Sequence, residues 1–246
     1  MTYDGFTPAE LAERLSAPRC LVLGQVTSTL DLVHALATEG APAGTVVLAD
    51  EQVAGRGQRG RAWLSPAGAG VWLGYLVRPD AAATGGVLAL RVGLALVGAL
   101  HDLGAAALLK WPNDVMLDGR KLAGVLCEGR SIPGDGGWVA VGIGLNVRGP
   151  LPAQVADRAA TLEEAVPGAT RTGVLERLVP RLHRLARDAR LTAEERAAFE
   201  RHDWLAGRMI REPVEGRVAG IDDDGALLVA HGAGRHRVIS GSVVTA

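Results

Sequence analysis

The sequence predicts an α+β fold in which a mixed β-sheet is flanked by helices and followed by a small β-barrel. Two observations predict the sheet: helical and strand patterns are interspersed along the first 206 residues, and hairpin signals among the strands disfavour a doubly wound parallel sheet. A third predicts the barrel, because after Gly207 the chain consists of short β-like runs separated by glycines and acidic turns. We therefore expect a large domain at residues 1–206 and a small one at residues 207–246.

The first half of the large domain carries clear signals for where its elements begin and end. Thr7, Pro8 and Glu10 form a capped helix start, and this helix should reach Ser16. A second helix is predicted from Ser28, whose hydroxyl can cap it, up to Gly40. The strands predicted in this half lie at residues 20–26, 44–52 and 71–79, and a glycine-rich loop lies at residues 54–70.

The second half begins with a strongly apolar segment at residues 86–100. Arg91 interrupts this segment, which is shorter than the roughly 20 residues of a membrane span, so it is predicted to be a buried core helix. Asp118-Gly119 between two apolar runs indicates a hairpin. The remaining predictions are a strand at 138–147, helices at 171–190 and 192–206, and β-like runs at 214–221, 225–230, 235–240 and 242–246.

The bulk composition excludes several classes of protein. With 26 basic and 27 acidic side chains the net charge is −1, which provides no global field to hold a nucleic acid. The two cysteines, Cys20 and Cys127, match neither a disulfide framework nor a zinc spacing, which favours a reducing cytoplasm. Because the polar N-terminus does not resemble a signal peptide and no run is long enough to span a membrane, a cytoplasmic location without membrane contact is expected.

Lysine is almost absent from the chain, since only Lys110 and Lys121 among the 26 basic residues are lysines. Arginine cannot match the compact charge and adjustable pKa of lysine, so the two positions that keep lysine are candidates for chemistry. Lys110 ends an apolar run beside Trp111, which favours an ammonium facing a ligand over one that reaches into water. For Lys121, beside the predicted hairpin turn, a functional role and a surface role are almost equally favoured.

The glycine-rich loop carries Arg56, Arg59 and Arg61 close together. Its G-x-G-x-x-G match at residues 55–60 suggests a dinucleotide site, but no helix follows the loop, so that hypothesis is rejected. Glycines allow an anion to approach the backbone and guanidinium groups bind phosphate or carboxylate, so the loop predicts an anion site. Trp63 is either an aromatic platform for a base or a core side chain.

The strand at residues 138–147 contains Gly142 and Gly144 on one face. Such glycines occur where a ligand or another element lies against a sheet, and both interpretations stay open here. The chain has no G-x-S-x-G, H-E-x-x-H or Walker motif, and none of its six histidines falls in these candidate segments. Cys127 is predicted to be a buried, inert thiol.

Taken in this order, the candidate segments closely resemble the biotin–protein ligase family. The matching motifs are Thr27-Ser28-Thr29, Glu51-Gln52, Ala54-Gly55-Arg56-Gly57, Arg59-Gly60-Arg61 with Trp63, Lys110-Trp111-Pro112-Asn113-Asp114, Lys121-Leu122-Ala123-Gly124 and Gly142-Ile143-Gly144-Leu145-Asn146. The resemblance spans residues 22–147, and residues 220–244 are similar to the family's SH3-like C-terminal domain. It implies a catalytic domain related to class II aminoacyl-tRNA synthetases, which uses ATP and Mg²⁺ to attach biotin to a lysine of a carboxylase's biotin carboxyl carrier protein or domain.

The resemblance also implies roles for individual residues. Catalysis is assigned to Lys110, which bridges the biotin carboxylate and the α-phosphate, to Arg56, which holds phosphate, and to Asp114, which either meets the acceptor amine or caps its own turn. Biotin binding is assigned to Ser28, Thr29, Gln52, Gly55, Arg56, Gly57, Gln58, Lys110, Gly124, Gly142 and Gly144. Binding of ATP and the adenylate is assigned to Arg56, Arg59, Arg61, Trp63, Lys110, Asn113, Lys121 and Asn146, and no metal ligand is assigned.

The sequence departs from the family pattern at three places. Gln58 stands where arginine is usual, which predicts a weaker hold on the adenylate; Leu30 replaces the usual Asn or Asp; and the small domain is shortened at residues 211–217. Too few residues precede the first strand for a helix-turn-helix domain, so DNA binding is not expected, and the protein should be a monomer or a homodimer. The alternatives are a lipoate–protein ligase or octanoyltransferase of related fold and, in another class, a non-catalytic biotin- or nucleotide-binding module.

Overall fold

The computed structural model describes residues 1–78, 85–131, 137–186, 188–232 and 234–246. The helices are α1 (Pro8–Arg14), α2 (Thr29–Thr38), α3 (Gly85–His101), α4 (Arg171–His183) and α5 (Ala193–His202). The strands are β1 (Cys20–Val26), β2 (Val46–Gln52), β3 (Gly70–Val77), β4 (Leu108–Lys110), β5 (Asp114–Leu117), β6 (Arg120–Arg130), β7 (Trp138–Asn146), β8 (Met209–Glu212), β9 (Gly216–Ile221), β10 (Leu227–His231), β11 (Gly234–Val238) and β12 (Val244–Thr245).

The first sheet has seven strands in the order β1-β2-β3-β7-β6-β5-β4. Only β1 and β2 run parallel, and every other neighbouring pair is antiparallel, so the predicted mixed sheet is confirmed. Alternate residues of β2 serve different layers: Val47 packs with α2, whereas Val46 and Leu48 belong to the main core with α3 and α4. The sheet therefore carries helices on both faces.

The second sheet is antiparallel, with five strands in the order β11-β10-β9-β8-β12, and it is consistent with an SH3-like domain. Sequence patterns predicted β-like runs only from Val214 onward and missed β8. Ile210 is the only buried residue of β8, so that strand has no apolar alternation to reveal it. The two sheets pack on each other, because Trp111 donates its indole N–H to the Gly225 carbonyl at 2.8 Å, and Ile210 belongs to the main core.

Helix α4 is shorter than predicted. The expectation of a helix over 171–190 was wrong, because α4 ends at His183. The backbone carbonyls of Asp188 and Arg190 accept hydrogen bonds from the guanidinium of Arg91, which is buried in α3. Residues 188–190 therefore belong to a non-helical connection, in which two of the carbonyls are bonded to the side chain of Arg91. The strand predicted over residues 71–79 ends at Pro79 and this predicted helix includes Arg187, and both of these positions lie outside the described residues.

The helix predicted over 192–206 begins as expected but ends at His202. Asp203 leaves the helical conformation and pairs with Leu109 as a parallel bridge, and the Trp204 N–H donates to the Leu109 carbonyl at 3.0 Å. The edge strand β4 is therefore covered by the connection to the second sheet, which satisfies its backbone. Among the described residues, no helix is both long and apolar enough to cross a membrane.

Asp203 is a buried carboxyl that should make stability depend on pH. Burial raises its pKa to about 6, against the opposing effects of the Leu205 N–H and of Arg208. Because the folded state binds this proton more tightly than the unfolded chain does, this contribution to stability is complete below pH 4 and is lost as pH rises through about 6. We expect Asp203→Asn to raise the free energy of unfolding by about 1–2 kcal/mol at pH 8 and to leave it unchanged at pH 4.

Urea titration at both pH values measures this difference, and the exposed Asp157→Asn variant is the control. An equal change at pH 4 and pH 8 would contradict the assignment, because a group that is protonated at pH 4 carries no penalty there.

Candidate active site

A cavity of about 660 Å³ lies between the N-terminus of α2, the ends of β4 to β7, and residues 241–244 of the second sheet. The sequence-predicted site residues that line it are Ser28, Thr29, Gln52, Arg56, Gly57, Gln58, Arg61, Trp63, Lys110, Asn113, Asp114, Lys121, Gly124, Gly142, Gly144 and Asn146. Gly55 and Arg59 are the two predicted residues that do not line it. The structure thus brings together residues from segments spread over more than half of the large domain.

One end of the cavity is polar and pre-ordered by α2. Ser28 caps this helix, as the sequence predicted, because its Oγ accepts the Leu30 N–H at 3.3 Å. The Thr29 N–H and hydroxyl both donate to Gln52 Oε1, at 2.8 and 3.2 Å, and Gln52 Nε2 donates to Ser65 Oγ at 2.9 Å. This network holds amide and hydroxyl groups at the cavity wall, where they can exchange hydrogen bonds with a neutral polar ligand.

Both lysines line the cavity beside one carboxylate, that of Asp114. Lys110 in β4 lies opposite Asp114 in β5, and Lys121 Nζ forms an ion pair with Asp114 Oδ1 at 2.6 Å. Burial lowers the pKa of Lys110, Asp114 partly opposes this effect, and Lys121 adds to it. Two ammonium groups thus face one carboxylate, which leaves net positive charge in a partly dehydrated place. Such a place attracts an anion more strongly than bulk water allows.

Trp63 rests on a pair of glycines. Gly124 and Gly144 are register partners in β6 and β7, and a Cβ atom on Gly144 would lie 2.3 Å from Trp63 Nε1. A Cβ on Gly124 would lie 3.2 Å from Cζ3 of the same ring, and Lys121 Nζ lies 5.1 Å from the ring centroid. The glycine strand also receives Leu30, which a Cβ on Gly142 would approach to 3.1 Å. The contacts therefore support the second interpretation of the glycines, in which protein groups lie against the strand.

The family resemblance implies that Trp63 contacts the base of ATP, and a side chain at Gly144 should displace this ring and so weaken ATP binding. We expect Gly144→Ala to raise the KM for ATP about 10-fold, consistent with the roughly 1–3 kcal/mol that stacking on an aromatic side chain contributes per base. The KM for biotin, which the resemblance assigns to Ser28, Thr29 and Gln52, should change less than the KM for ATP, because this network reaches Trp63 through its backbone, where Ser65 Oγ donates to the Trp63 carbonyl at 3.3 Å. Steady-state kinetics with each substrate varied in turn provides the measurement.

Gly129→Ala is the matched control for this substitution, because Gly129 lies on β6 and a Cβ there meets no atom within 4 Å. Equal KM values for ATP in the Gly144→Ala and Gly129→Ala proteins would show that Trp63 does not contact the nucleotide.

The three arginines of the glycine-rich loop point to different partners. We call residues 54–65 the arginine loop. Arg56 forms ion pairs with Asp31 at 2.7 Å and with Glu128 at 3.1 Å. Arg59 lies at the loop tip with φ of 58° and donates to Ser242 Oγ at 3.4 Å, and Arg61 lines the cavity. The sequence predicted one anion site from all three arginines. Of the three, Arg61 is the one that lines the cavity and has no ion pair to a described residue.

The two asparagines assigned to ATP binding also serve the protein framework. Asn113 Nδ2 donates to the Val125 carbonyl at 2.6 Å, and Asn146 Nδ2 donates to the Ala160 carbonyl at 3.1 Å. These bonds fix both side chains at the cavity wall.

Burial raises the pKa of the Cys127 thiol to about 12, which fits the inert thiol that the sequence predicted.

Comparison with protein-family models covers both sheets. Residues 22–146 match the model described as the biotin/lipoate A/B protein ligase family, and residues 208–245 match the biotin protein ligase C-terminal domain. The chain belongs to the biotin/lipoate A/B protein ligase family. Together the two matches take in the strands of both sheets except for the first residues of β1, so the architecture is that of a biotin protein ligase.

Individual members of this ligase family are similar to this protein over most of its chain. It is 39% identical over 217 residues to the biotin–[acetyl-CoA-carboxylase] ligase of Paracoccus denitrificans, covering 80% of this chain and 88% of the relative. It is 32% identical over 232 residues to the bifunctional ligase/repressor BirA of Bacillus subtilis, covering 89% of this chain and 71% of the relative. The structure of the Aquifex aeolicus biotin protein ligase in complex with biotin and ATP superposes with a TM-score of 0.77 at 29% identity, covering 93% and 99% of the two chains.

Sequence reasoning missed several residues at the cavity of this family member. Arg158 and Val155 line it from the segment after β7, where Lys121 pairs with Ala159 as a parallel bridge. No local pattern marks this segment, because its pairing partner lies almost forty residues earlier in the chain. Asp31 and Glu128, the partners of Arg56, were also missed. For Asp31 the available signal was its position in the first turn of α2, three residues after the Ser28 cap.

Proposed function

We propose that this protein uses ATP to convert biotin to biotinyl-5′-AMP and transfers the biotinyl group to a lysine of a carboxylase's biotin carboxyl carrier domain. The observation that supports it most directly is one cavity that is lined by Lys110 and Lys121, by the Thr29–Gln52 hydrogen-bonding network and by Trp63. A neutral ring with polar edges suits the Thr29–Gln52 network, a nucleotide base suits the Trp63 ring, and the two ammonium groups suit the anions that must react.

In the first step a carboxylate oxygen of biotin attacks the α-phosphorus of ATP, the bond to the β-phosphate breaks, and pyrophosphate leaves. Two anions must meet, so fixed positive charge is required where they react. Lys110 supplies it as a compact ammonium in a partly buried place, and Arg61 and Lys121 face the same cavity. Ser28, Thr29 and Gln52 are the groups that hold biotin in this proposal.

In the second step the acceptor amine attacks the biotinyl carbonyl, its proton is released, and AMP leaves. Asp114 is the carboxylate that faces the incoming amine in this proposal, and Lys121 Nζ lies 2.6 Å from its Oδ1 in the free enzyme. Gly241 to Val244 of the second sheet reach the cavity rim, so the small domain borders the route by which a carrier enters. We further propose that the two domains meet between residues 206 and 207 and that the enzyme is cytoplasmic.

The residues at the cavity fit a Mg²⁺ ion that is carried chiefly by ATP. Asp114 is the carboxylate among the described lining residues, and Mg²⁺ in such sites is held by one or two carboxylates together with substrate phosphates. When bound, Mg²⁺ supplies charge neutralisation at the phosphates.

Isotope exchange tests this function. The protein is incubated with ATP, Mg²⁺, labelled pyrophosphate and either biotin, lipoate or octanoate, and label entering ATP is followed. Exchange that depends on biotin, and biotin transfer to a purified carrier domain, are the expected results. Exchange with lipoate alone would favour the lipoate ligase alternative, and absence of exchange with any acid would favour a binding module.

A further inference from the structure

Arg56 is held by two carboxylates in a way that limits its use for a ligand. Its Nη1 donates to Asp31 at 2.7 Å, and Nε and Nη2 donate to the two oxygens of Glu128 at 3.3 and 3.1 Å. Three of the five N–H groups of a guanidinium are thus engaged. Two carboxylates around one guanidinium carry a net negative charge, so a phosphate placed at the open side would be repelled.

A buried histidine lies behind Glu128 and fixes that carboxylate. His34 in α2 is 3% exposed, and its Nδ1 lies 2.9 Å from Trp138 Nε1. An indole N–H only donates, so His34 Nδ1 accepts and its proton resides on Nε2. Nε2 in turn donates to Glu128 Oε2 at 3.1 Å. Burial alone would raise the pKa of Glu128, but the hydrogen bonds from Arg56 and His34 outweigh it and hold that pKa below its ordinary value.

This chain of hydrogen bonds ends on the arginine loop. The loop closes on itself through the Trp63 N–H bond to the Gly55 carbonyl at 2.8 Å and the Gly57 N–H bond to the Arg61 carbonyl at 2.7 Å. Both of these bonds lie within the loop. The two ends of the loop are fastened to the rest of the protein, because the Ala54 N–H donates to the Thr27 carbonyl at 2.9 Å and Gln52 Nε2 donates to Ser65 Oγ at 2.9 Å. Between these ends the guanidinium of Arg56 forms the ion pairs that connect the loop to α2 and β6, and the loop carries Arg61 and Trp63 to the cavity.

We propose that His34 and Glu128 are positioning residues that hold Arg56 as the anchor of the arginine loop, and that Arg56 acts through the position of this loop rather than by binding phosphate. The effect on kinetics rests on the proposed function, whereas the effect on the loop does not. The proposal replaces the phosphate-holding role that the family resemblance implies for Arg56.

Trypsin provides a readout that is independent of activity, because Arg59 and Arg61 are exposed in the loop and cleavage there reports local opening. We expect His34→Leu to accelerate cleavage at these two sites at least about 10-fold. His34→Gln should stay within about threefold of wild type, because a glutamine amide offers both the donor for Glu128 and the acceptor for Trp138. Trp138→Phe, which removes one donor and keeps an aromatic ring, should give an intermediate rate and serves if His34→Leu does not fold.

His183→Leu is the matched control, because His183 also bonds at both nitrogens, to Tyr75 and to the Leu15 carbonyl, away from the loop. It should leave the cleavage rate at Arg59 and Arg61 unchanged. Unchanged cleavage in His34→Leu would overturn the proposal, because it would show that His34 does not help to hold the loop. Equal acceleration in His183→Leu would also overturn it, because it would indicate general destabilisation.

Kinetics of pyrophosphate exchange then separate anchoring from phosphate binding. Arg56→Lys keeps the positive charge but loses the bidentate contact to Glu128. Under the proposal it accelerates loop cleavage and raises the KM for ATP by about the same factor as His34→Leu, with kcat within about threefold of wild type. Wild-type cleavage together with a lowered kcat would instead mean that Arg56 contacts the reacting phosphate. A wild-type enzyme without exchange would refute the proposed function, while the cleavage test of the anchor would still stand.

Discussion

Lys110→Arg should lower the rate of biotin-dependent pyrophosphate exchange by about 100-fold to 1000-fold, although it keeps the positive charge. The ammonium of Lys110 lies over Trp204 at 5.2 Å from the ring centroid and faces Asp114 across the strand pair. A planar guanidinium spreads its charge over a wide fork, so it cannot occupy the narrow space between a carboxylate and an α-phosphate without displacing one of them. Exchange at saturating biotin, ATP and pyrophosphate gives the maximal exchange rate, which is the quantity to compare.

Arg14→Lys is the control for this substitution, because it exchanges the same two side-chain types at a surface ion pair with Glu176, and neither residue lines the cavity. Its exchange rate should remain that of wild type. The pH dependence offers a second check: burial lowers the pKa of Lys110, so wild-type activity should fall on the alkaline side at a lower pH than an ordinary lysine would give. A fully active Lys110→Arg enzyme would refute the bridging role.

The elements that the sequence predicted well are those whose signals are local. The cap at Thr7, the cap at Ser28 and the apolar segment that forms α3 are each specified by residues within one or two turns of chain. The elements that it misplaced depend on distant partners. Helix α4 ends early where Arg91 of α3 bonds the following carbonyls, and β8 exists because β9 and β12 pair with it.

The candidate site shows the same division. Motifs such as Lys110 to Asp114 could be recognised because their neighbours in sequence are also their neighbours in space. The partners of Arg56 could not, because Asp31, His34 and Glu128 come from α2 and β6, and the register that brings these elements together is set by the whole sheet. Sequence reasoning therefore named many of the residues that line the cavity but not the two carboxylates that form ion pairs with Arg56.

Arg91→Leu should lower the free energy of unfolding by about 3–5 kcal/mol, the largest stability change that we expect from a single substitution. The guanidinium is almost fully buried in α3 and donates to both oxygens of Glu195, at 2.6 and 3.0 Å. It also donates to the carbonyls of Asp188 and Arg190. Leucine removes all these donors, so a partly buried carboxylate and two carbonyls lose their partner at once.

The double substitution Arg91→Leu with Glu195→Leu distinguishes this ion-pair mechanism from loss of packing. Removing both charges should cost less than removing Arg91 alone, because no unpaired carboxylate remains. Burial raises the pKa of Glu195, but the hydrogen bonds from Arg91 and Thr192, together with the charge of Arg91, outweigh burial and leave that pKa below its ordinary value. The stability that this pair contributes is therefore present above the pKa of glutamate in the unfolded chain and is lost as pH falls through the pKa of Glu195 in the folded protein. In the Arg91→Leu protein the free energy of unfolding should depend less on acid pH. If urea unfolding shows the double variant to be as unstable as the sum of the single variants, the pair is not coupled and α5 is held by packing alone.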